Sequence, residues 1–379
     1  MRILIAPDSF KESLSAIEVA NAIEAGFKQI LPHADYYKIS VADGGEGTMQ
    51  SLIDAKNGER IACKVHDPLG RIITAYYGFI ASEKLAIIEM AESSGLMRLL
   101  PEERNPLVTS SFGTGELLLD ALNRGAEKMI LAIGGSATND GGAGMLSALG
   151  AHFLDRQGDA LSAGGLALQF LKHIDLSRLD DRLANISLEV ACDVDNPLLG
   201  ARGASHIFAP QKGATPEEVL LLDAALTNYA DIVAETLGQD HRAVAGSGAA
   251  GGMGFAAISF LNGILKPGID IVLEAVQFEA AVQQVDLVIT GEGRIDAQTA
   301  FGKTPIGVAT LAKKYDKSVI AIAGSLGDGY EAVYDYGIDA VFSIMQKPDT
   351  LENALNNAVQ NLQSTSQNIA RIYQLATVD

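Results

Sequence analysis

The sequence predicts an α/β fold: a discontinuous, doubly wound parallel-sheet domain of Rossmann-like type, with a second α/β domain of mixed sheet inserted into it. Three observations carry this. Short apolar runs alternate with helical patterns at both ends of the 379-residue chain, the pattern of βα units feeding a parallel sheet. Neither end alone supplies a full doubly wound sheet, whereas together they supply about five βα units. The middle instead crowds three strand-like runs together, at 61–66, 72–80 and 85–91, which suggests antiparallel pairing. The expected domains are 1–62 together with 280–379, and 63–279.

The elements follow in order. Residues 2–6 are a short apolar run, read as a buried strand. Ser15 and Glu18 have capping-box spacing, and Val19, Ile23, Phe27 and Ile30 recur at helical intervals until Pro32. Residues 36–42 read as a second strand, after which ADGGEGT leads into a helix over 49–56. In the middle, PLGR at 68–71 is a turn between the first two crowded strands. A helix is expected over 112–124 and a strand over 128–133. GGSATNDGGAG, 134–144, then precedes a further helix. A strand at 187–192 ends in DVDNPLLG, a long helix covers 217–237, and GSGAAGGMG at 246–254 is a second glycine cluster. Alternation then returns, with a strand at 285–290 into GEGRID, a helix over 303–315 and a strand at 318–323 into GSLGD. A strand at 340–344 and an amphipathic helix over 351–375, with Leu355, Val359 and Leu362 on one face, complete the chain.

Composition narrows the function. There are 28 Lys and Arg against 47 Asp and Glu, a net charge of −19, which repels nucleic acid and anionic lipid alike. No apolar run reaches the ~18 residues of a membrane helix, and the N-terminus lacks a signal-peptide pattern. Cys63 and Cys192 form no CxxC or disulfide framework, consistent with a cytoplasmic location. The six histidines lack zinc spacing, and no GxSxG elbow occurs. GKT at 302–304 fails as a P-loop because Ala297 stands where glycine is required. GSGAAG matches GxGxxG, but no clear strand precedes it, so a nicotinamide cofactor is disfavoured.

Four polar loops follow apparent strands. They carry Asp8, Ser9, Lys11 and Glu12; Asp43, Glu46 and Thr48; Asp193, Asp195 and Asn196; and Glu292, Arg294 and Asp296. The crevice beyond strand C-termini binds ligands in open α/β sheets. Carboxylates there suit Mg²⁺, which takes one or two of them plus substrate oxygens. Lys11 and Arg294 suit an anion. The loop at 134–144 offers backbone N–H groups and a helix start to phosphate, and Asp140 within it could hold a cation. Phosphoryl transfer is favoured over acyl transfer. For each loop taken singly, capping or a turn is the plainer role.

APDSFKESLS, VADGGEGT, DPLGR, AESSGL, GTGELLLDALNRG, IGGSATNDGGAGML, CDVDNPLLGARGA, FAPQKGA, GAAGGMG, VITGEGRIDAQT and GKTPIGVA occur in this order from Arg2 to about Gly329. Together they resemble the bacterial glycerate kinase family of two-domain type. Glu12 departs from the small residue common there. The resemblance implies two α/β domains with the active site in the cleft between them. It also implies ATP-dependent phosphorylation of D-glycerate to 2-phosphoglycerate, named the 3-phosphate in older usage.

On that basis the nucleotide phosphates are expected at Gly134, Gly135, Ser136, Thr138 and Asn139. Mg²⁺ is expected at Asp193 first and Glu292 second. Asp43 or Asp296 is the general base, the choice being open. Lys11 and Arg294, with Ser9, bind the glycerate carboxylate or the moving phosphoryl group. A kinase for another small hydroxy acid, or a non-catalytic sensor of glycerate or nucleotide, stands as the alternative. A homo-oligomer is compatible with all of these.

Overall fold

The computed structural model describes residues 1–45 and 47–376; Glu46 of the ADGGEGT loop lies outside them. The chain forms two compact units. Unit one comprises Met1–Asp43, Asp54–Lys56 and Ile269–Asp379, and unit two comprises Gly44–Ile53 and Asn57–Gly268. In chain order the strands are β1 (Arg2–Ile5), β2 (Asp35–Lys38), β3 (Glu59–His66), β4 (Ile72–Ile80), β5 (Leu85–Glu89), β6 (Lys128–Ala132), β7 (His152–Leu154), β8 (His173–Asp175), β9 (Ser187–Ala191), β10 (Ile264–Lys266), β11 (Leu287–Ile295), β12 (Ser318–Leu326) and β13 (Ala340–Ser343).

Unit one is a five-stranded sheet in the order β13-β12-β11-β1-β2, with every pair parallel. Strand order therefore reverses between β1 and β11, which makes their C-terminal ends the switch point where doubly wound sheets bind ligands. Ile3, Leu4, Ile5, Leu287, Val288 and Ile289 are fully buried, as strands covered on both faces must be. The helix Ala16–Lys28 starts at the expected capping box, with Glu18 N–H donating to Ser15 Oγ and Ser15 N–H to Glu18. Its Val19, Ile23 and Phe27 share a core with Leu362 and Ile369 of the helix Ala358–Ala376.

Three expectations are adjusted. β2 stops at Lys38 rather than 42, because β1 ends at Ile5 and Pro7 beyond it has no N–H to continue the ladder. GEGRID is largely strand rather than loop, since β11 and β12 pair as far as Ile295 and Leu326. The final helix is two, Leu351–Asn356 and Ala358–Ala376, separated at Asn357.

Unit two holds a six-stranded mixed sheet in the order β10-β9-β6-β5-β4-β3. β10, β9, β6 and β5 are parallel, and β5-β4-β3 antiparallel. PLGR makes the β3–β4 turn, with Asp67 Oδ1 accepting from the N–H groups of Leu69 and Arg71. Leu117, Leu131, Tyr229 and Phe255 are among the side chains of the core. A small β7–β8 hairpin and β10 have no counterpart in the sequence reading. The second glycine cluster serves packing. Gly251 has φ +69°, and a Cβ there would lie 2.1 Å from Thr138 O, so only glycine lets this segment lie against the first glycine loop. No described helix is long and apolar enough to cross a membrane.

Gly26 sits where the Ala16–Lys28 and Ala358–Ala376 helices pack tightly, since an added Cβ would meet Gln363 O at 2.5 Å. Helix propensity alone favours alanine by ~1 kcal/mol, whereas the clash costs about 1–3 kcal/mol. Gly26→Ala is therefore expected to lower the urea midpoint of unfolding. A raised midpoint would show that the helices separate at little cost.

Candidate functional site

Unit one gathers carboxyl groups at its switch point. After β1 the chain continues along β11, with Ala6 N–H donating to Ile289 O and Asp8 N–H to Gly291 O. That pairing carries Asp8 toward the end of β11. Asp8 Oδ1 accepts from Ser9 N–H at 2.6 Å, and Oδ2 from Thr304 Oγ1 at 2.6 Å. Thr304 opens the helix Thr304–Lys313. Glu292, on β11, is 9% exposed. Its Oε1 accepts from Thr299 Oγ1 at 2.5 Å, and its Oε2 lies 3.6 Å from Lys303 Nζ. GKT thus supplies a lysine to Glu292 and a hydroxyl to Asp8.

Both carboxyl groups resist ionisation. Burial pushes Asp8 up to about 6, with Asp43 adding repulsion and the Thr304 hydrogen bond opposing. Burial pushes Glu292 up to about 7 against the Thr299 hydrogen bond and Lys303, with Asp8 and Asp43 adding to the rise. Asp43 therefore belongs to the same electrostatic group.

The other expected residues of unit one are differently placed. Arg294 is exposed, with Nε 3.2 Å from Asp296 Oδ2. Asp296 also caps the following turn, accepting from Gln298 N–H at 2.9 Å. The backbone of Lys11 passes over Gly293, where an added Cβ would lie 3.4 Å from Lys11 N. Lys11 makes no ion pair among the described residues, and Ser9 hydrogen-bonds Asp8.

In unit two the first glycine loop follows β6. The helix beyond it is short, Ala143–Ala148, and its leading N–H groups are already used. Asp140 accepts from Gly142 and Gly144, and Ser111 Oγ accepts from Met145 N–H. The helix start is therefore not the loop's anion site. Asp140, 2% exposed, also accepts from Ser111 N–H and Oγ at 2.8 Å, so it is a staple within the loop rather than a cation ligand. Burial raises its pKa against those hydrogen bonds.

The free end of the loop is its beginning. Gly134 and Gly135 are exposed and Ser136 is buried. All three line a pocket of about 220 Å³ that Gly44, Asp193 and Lys212 also line. Asp193 is exposed and accepts from Gly268 N–H at 2.9 Å. Thr138 and Asn139 are fully buried behind this surface, and Asn139 Nδ2 donates to Ser205 Oγ. Lys212 is 1% exposed; its Nζ donates to Ser136 Oγ at 2.8 Å and to Thr138 O at 2.7 Å.

A family model described as "Glycerate kinase family" matches residues 3–374. The Bacillus subtilis (strain 168) protein named glycerate kinase is 55% identical over 376 residues, 99% of this chain and 98% of that one. The Escherichia coli (strain K12) protein named glycerate 2-kinase is 52% identical over 370 residues, 98% and 97% of the two chains. A crystal structure assigned as glycerate kinase 2 from Salmonella typhimurium LT2 superposes with a TM-score of 0.92 at 52% identity, covering 99% of each chain.

The chain is an enzyme of the glycerate kinase family. A kinase takes ATP as substrate. The site reading from sequence omitted three side chains that the structure makes prominent, Thr299, Lys303 and Lys212, and named Asp8 only among the loop acids. Asp8 and Lys303 stand in APDSFK and GKT, whose placement after β1 and at a helix start was the available signal. Lys212 carries no local signal beyond a lone lysine in FAPQKGA.

The raised carboxyl pKa values fix a pH dependence. Glu292 ionises near 4.5 ordinarily and near 7 in the fold. The native state therefore binds more protons across that interval, and stability falls as pH rises through it. Glu292→Gln is expected to flatten the fall of Tm between pH 5 and 8 and to raise stability at pH 8 by about 1–3 kcal/mol. Identical pH profiles for the two proteins would show that Glu292 ionises normally.

Proposed function

We propose that this enzyme transfers the γ-phosphoryl group of ATP to the 2-hydroxyl of D-glycerate with Mg²⁺, giving 2-phosphoglycerate in the cytoplasm. The observation that carries this reading is the electrostatically coupled carboxyl groups of Asp8, Asp43 and the buried Glu292 at the switch point of a parallel sheet, in a chain 52% identical to a glycerate 2-kinase over nearly its full length. Cys63 and Cys192 are unpaired, in keeping with a reducing compartment.

Phosphoryl transfer needs positioning and charge neutralisation more than covalent help. Gly134, Gly135 and Ser136 take the nucleotide phosphates, with Thr138 and Asn139 supporting them from behind. Lys11 and Arg294 take the carboxylate of glycerate, Arg294 through its planar fork and with Asp296 steadying it. Ser9 holds Asp8 in place.

Asp8 receives the hydroxyl proton. Its pKa of about 6 lies nearer the working pH than that of an ordinary aspartate, and two hydrogen bonds fix its orientation. Asp296 is spent on Arg294 and a turn. Asp43 acts on Asp8 as a neighbouring charge.

The donor set suits Mg²⁺. Burial first, and then the neighbouring carboxylates, raise the pKa of Asp8 and Glu292, and a divalent cation offsets that excess of negative charge on hard oxygens. Among the described residues no three His, Cys, Asp or Glu form a protein-only metal cage, and Mg²⁺ needs only one or two carboxylates beside substrate oxygens. Glu292 would hold it, with Asp193 in the nucleotide pocket as the second candidate. When bound, Mg²⁺ supplies charge neutralisation on the transferring phosphates.

Phosphorus NMR of the product from ATP and D-glycerate tests the reaction. A 2-phosphate couples to one methine proton and gives a doublet. A triplet, from the two methylene protons of a 3-phosphate, would overturn the regiochemistry, and no product would overturn the activity. Asp8→Asn should cut kcat about 10²- to 10⁴-fold with little change in either KM. Arg294→Ala should raise the KM for glycerate about 10- to 100-fold without lowering Tm, because the side chain is exposed. Wild-type kinetics in either variant would remove that residue from the mechanism.

A further inference from the structure

Lys212 is the most unusual side chain in unit two. A lysine buried to 1% exposure normally has a counter-ion, because an isolated ammonium loses most of its hydration on burial. Among the described residues no carboxylate pairs with it, and its two acceptors, Ser136 Oγ and Thr138 O, are both neutral. An ammonium carries three donors, so one N–H is left without an acceptor in the chain.

The position is built. Lys212 closes the short 3₁₀ turn Pro210–Lys212, and the next residue, Gly213, has φ +102° and lies against the backbone of Arg104. Both acceptors belong to the first glycine loop. Ser136 and Lys212 line the same pocket, beside Gly134 and Gly135. Among the described residues the N–H groups of those two glycines have no acceptor within the chain. A fixed cation, a hydroxyl and backbone N–H groups converging on a cavity of about 220 Å³ match a phosphoryl group, whose oxygens accept several donors at once.

We propose that Lys212 is a phosphate-binding residue of the first glycine loop, its remaining N–H donating to a phosphoryl oxygen of the nucleotide and its charge balancing that oxygen. The proposal rests on the reading that this loop takes the nucleotide. A proton linkage follows from the same geometry. Burial holds the ammonium down to about 7, and Asp140 behind the loop opposes this. The other titratable groups nearby are Asp193 and Cys192 on the pocket wall, Arg104 beside Gly213, and the buried Tyr229, which feels Asp140. An arriving phosphoryl group adds the anion that the site lacks, so Lys212 becomes fully protonated as the nucleotide binds.

Isothermal titration calorimetry with ADP, at pH 7.5 in two buffers of different ionisation enthalpy, tests this on the full chain. Wild type is expected to take up a fraction of a proton as ADP binds. Lys212→Met should lose most of that uptake and weaken ADP about 10- to 100-fold, while adenosine, which has no phosphate, binds both proteins equally. The KM for ATP should rise by a similar factor with the KM for glycerate unchanged. The apolar variant removes a buried charge and should melt no lower than wild type; should it fail to fold, the neutral Lys212→Gln is expected to show the same losses. ADP affinity and proton uptake equal to wild type would overturn the proposal for Lys212 alone. A wild type that does not bind ADP would overturn the nucleotide reading of the loop and this proposal with it.

Discussion

The 2.6 Å hydrogen bond from Thr304 Oγ1 to Asp8 Oδ2 solves a problem that recurs in this chain, the burial of an ionisable group whose hydrogen bonds are to neutral partners. Glu292 is held by the hydroxyl of Thr299, with Lys303 further off at 3.6 Å, Asp140 by that of Ser111, and Lys212 by that of Ser136. A neutral hydroxyl satisfies part of each group's hydrogen bonding, so the side chain has a defined position. It does not satisfy the charge, so the pKa values move toward the neutral forms. A full ion pair would have kept these groups ionised and saturated them. Hydroxyl partners keep them ordered and electrostatically unfinished, which is the condition in which a substrate or cation contributes most on arrival.

Asp140 departs from this pattern in one respect, and the difference separates support from site. It accepts four hydrogen bonds, from Ser111 N–H and Oγ and from the N–H groups of Gly142 and Gly144, and the last of these is an N–H group that a phosphate would otherwise claim at the following helix. The loop therefore spends its far end on its own shape. Gly134, Gly135 and Ser136 remain at its near end, and Gly251 lets the second glycine segment brace Thr138 from behind. The glycine excess of the chain, 39 residues, accordingly has two uses here: exposing backbone at the pocket and letting backbone pack on backbone beneath it.

Much of the architecture was legible because it rests on local patterns. The Ser15–Glu18 capping box, the apolar spacing through Phe27, and the alternation of strands and helices at both ends act over a few residues, and the parallel-sheet class follows from that alternation. What escaped depends on distant partners. GEGRID continues as strand because β12 pairs with it to Leu326, which no property of those six residues announces. Asp140 in a glycine loop reads equally as cation ligand or staple until Ser111 is placed beside it. Lys212 reads as a surface lysine, and only the tertiary fold buries it. The same holds for Lys303 and Thr304, whose motif failed as a P-loop by one residue and nonetheless delivers its lysine and hydroxyl to two carboxyl groups.

An acidic chain handling two anions is less paradoxical than its net charge of −19 suggests. Exposed carboxylates act through water and salt, and their influence fades over roughly 8 Å at physiological ionic strength. Some are also matched locally, as Asp231 and Asp240 are by Arg242. Lys11 and Lys212 have no such partner among the described residues, and Lys212 acts from an interior where a charge is felt far more strongly than at the surface. The potential that an arriving phosphate meets is therefore set by which cations are left unmatched and how deeply they lie. Matching Lys212 with a buried carboxylate would stabilise its charge and remove its use, so the absence of an ion pair there is what makes the position functional rather than structural.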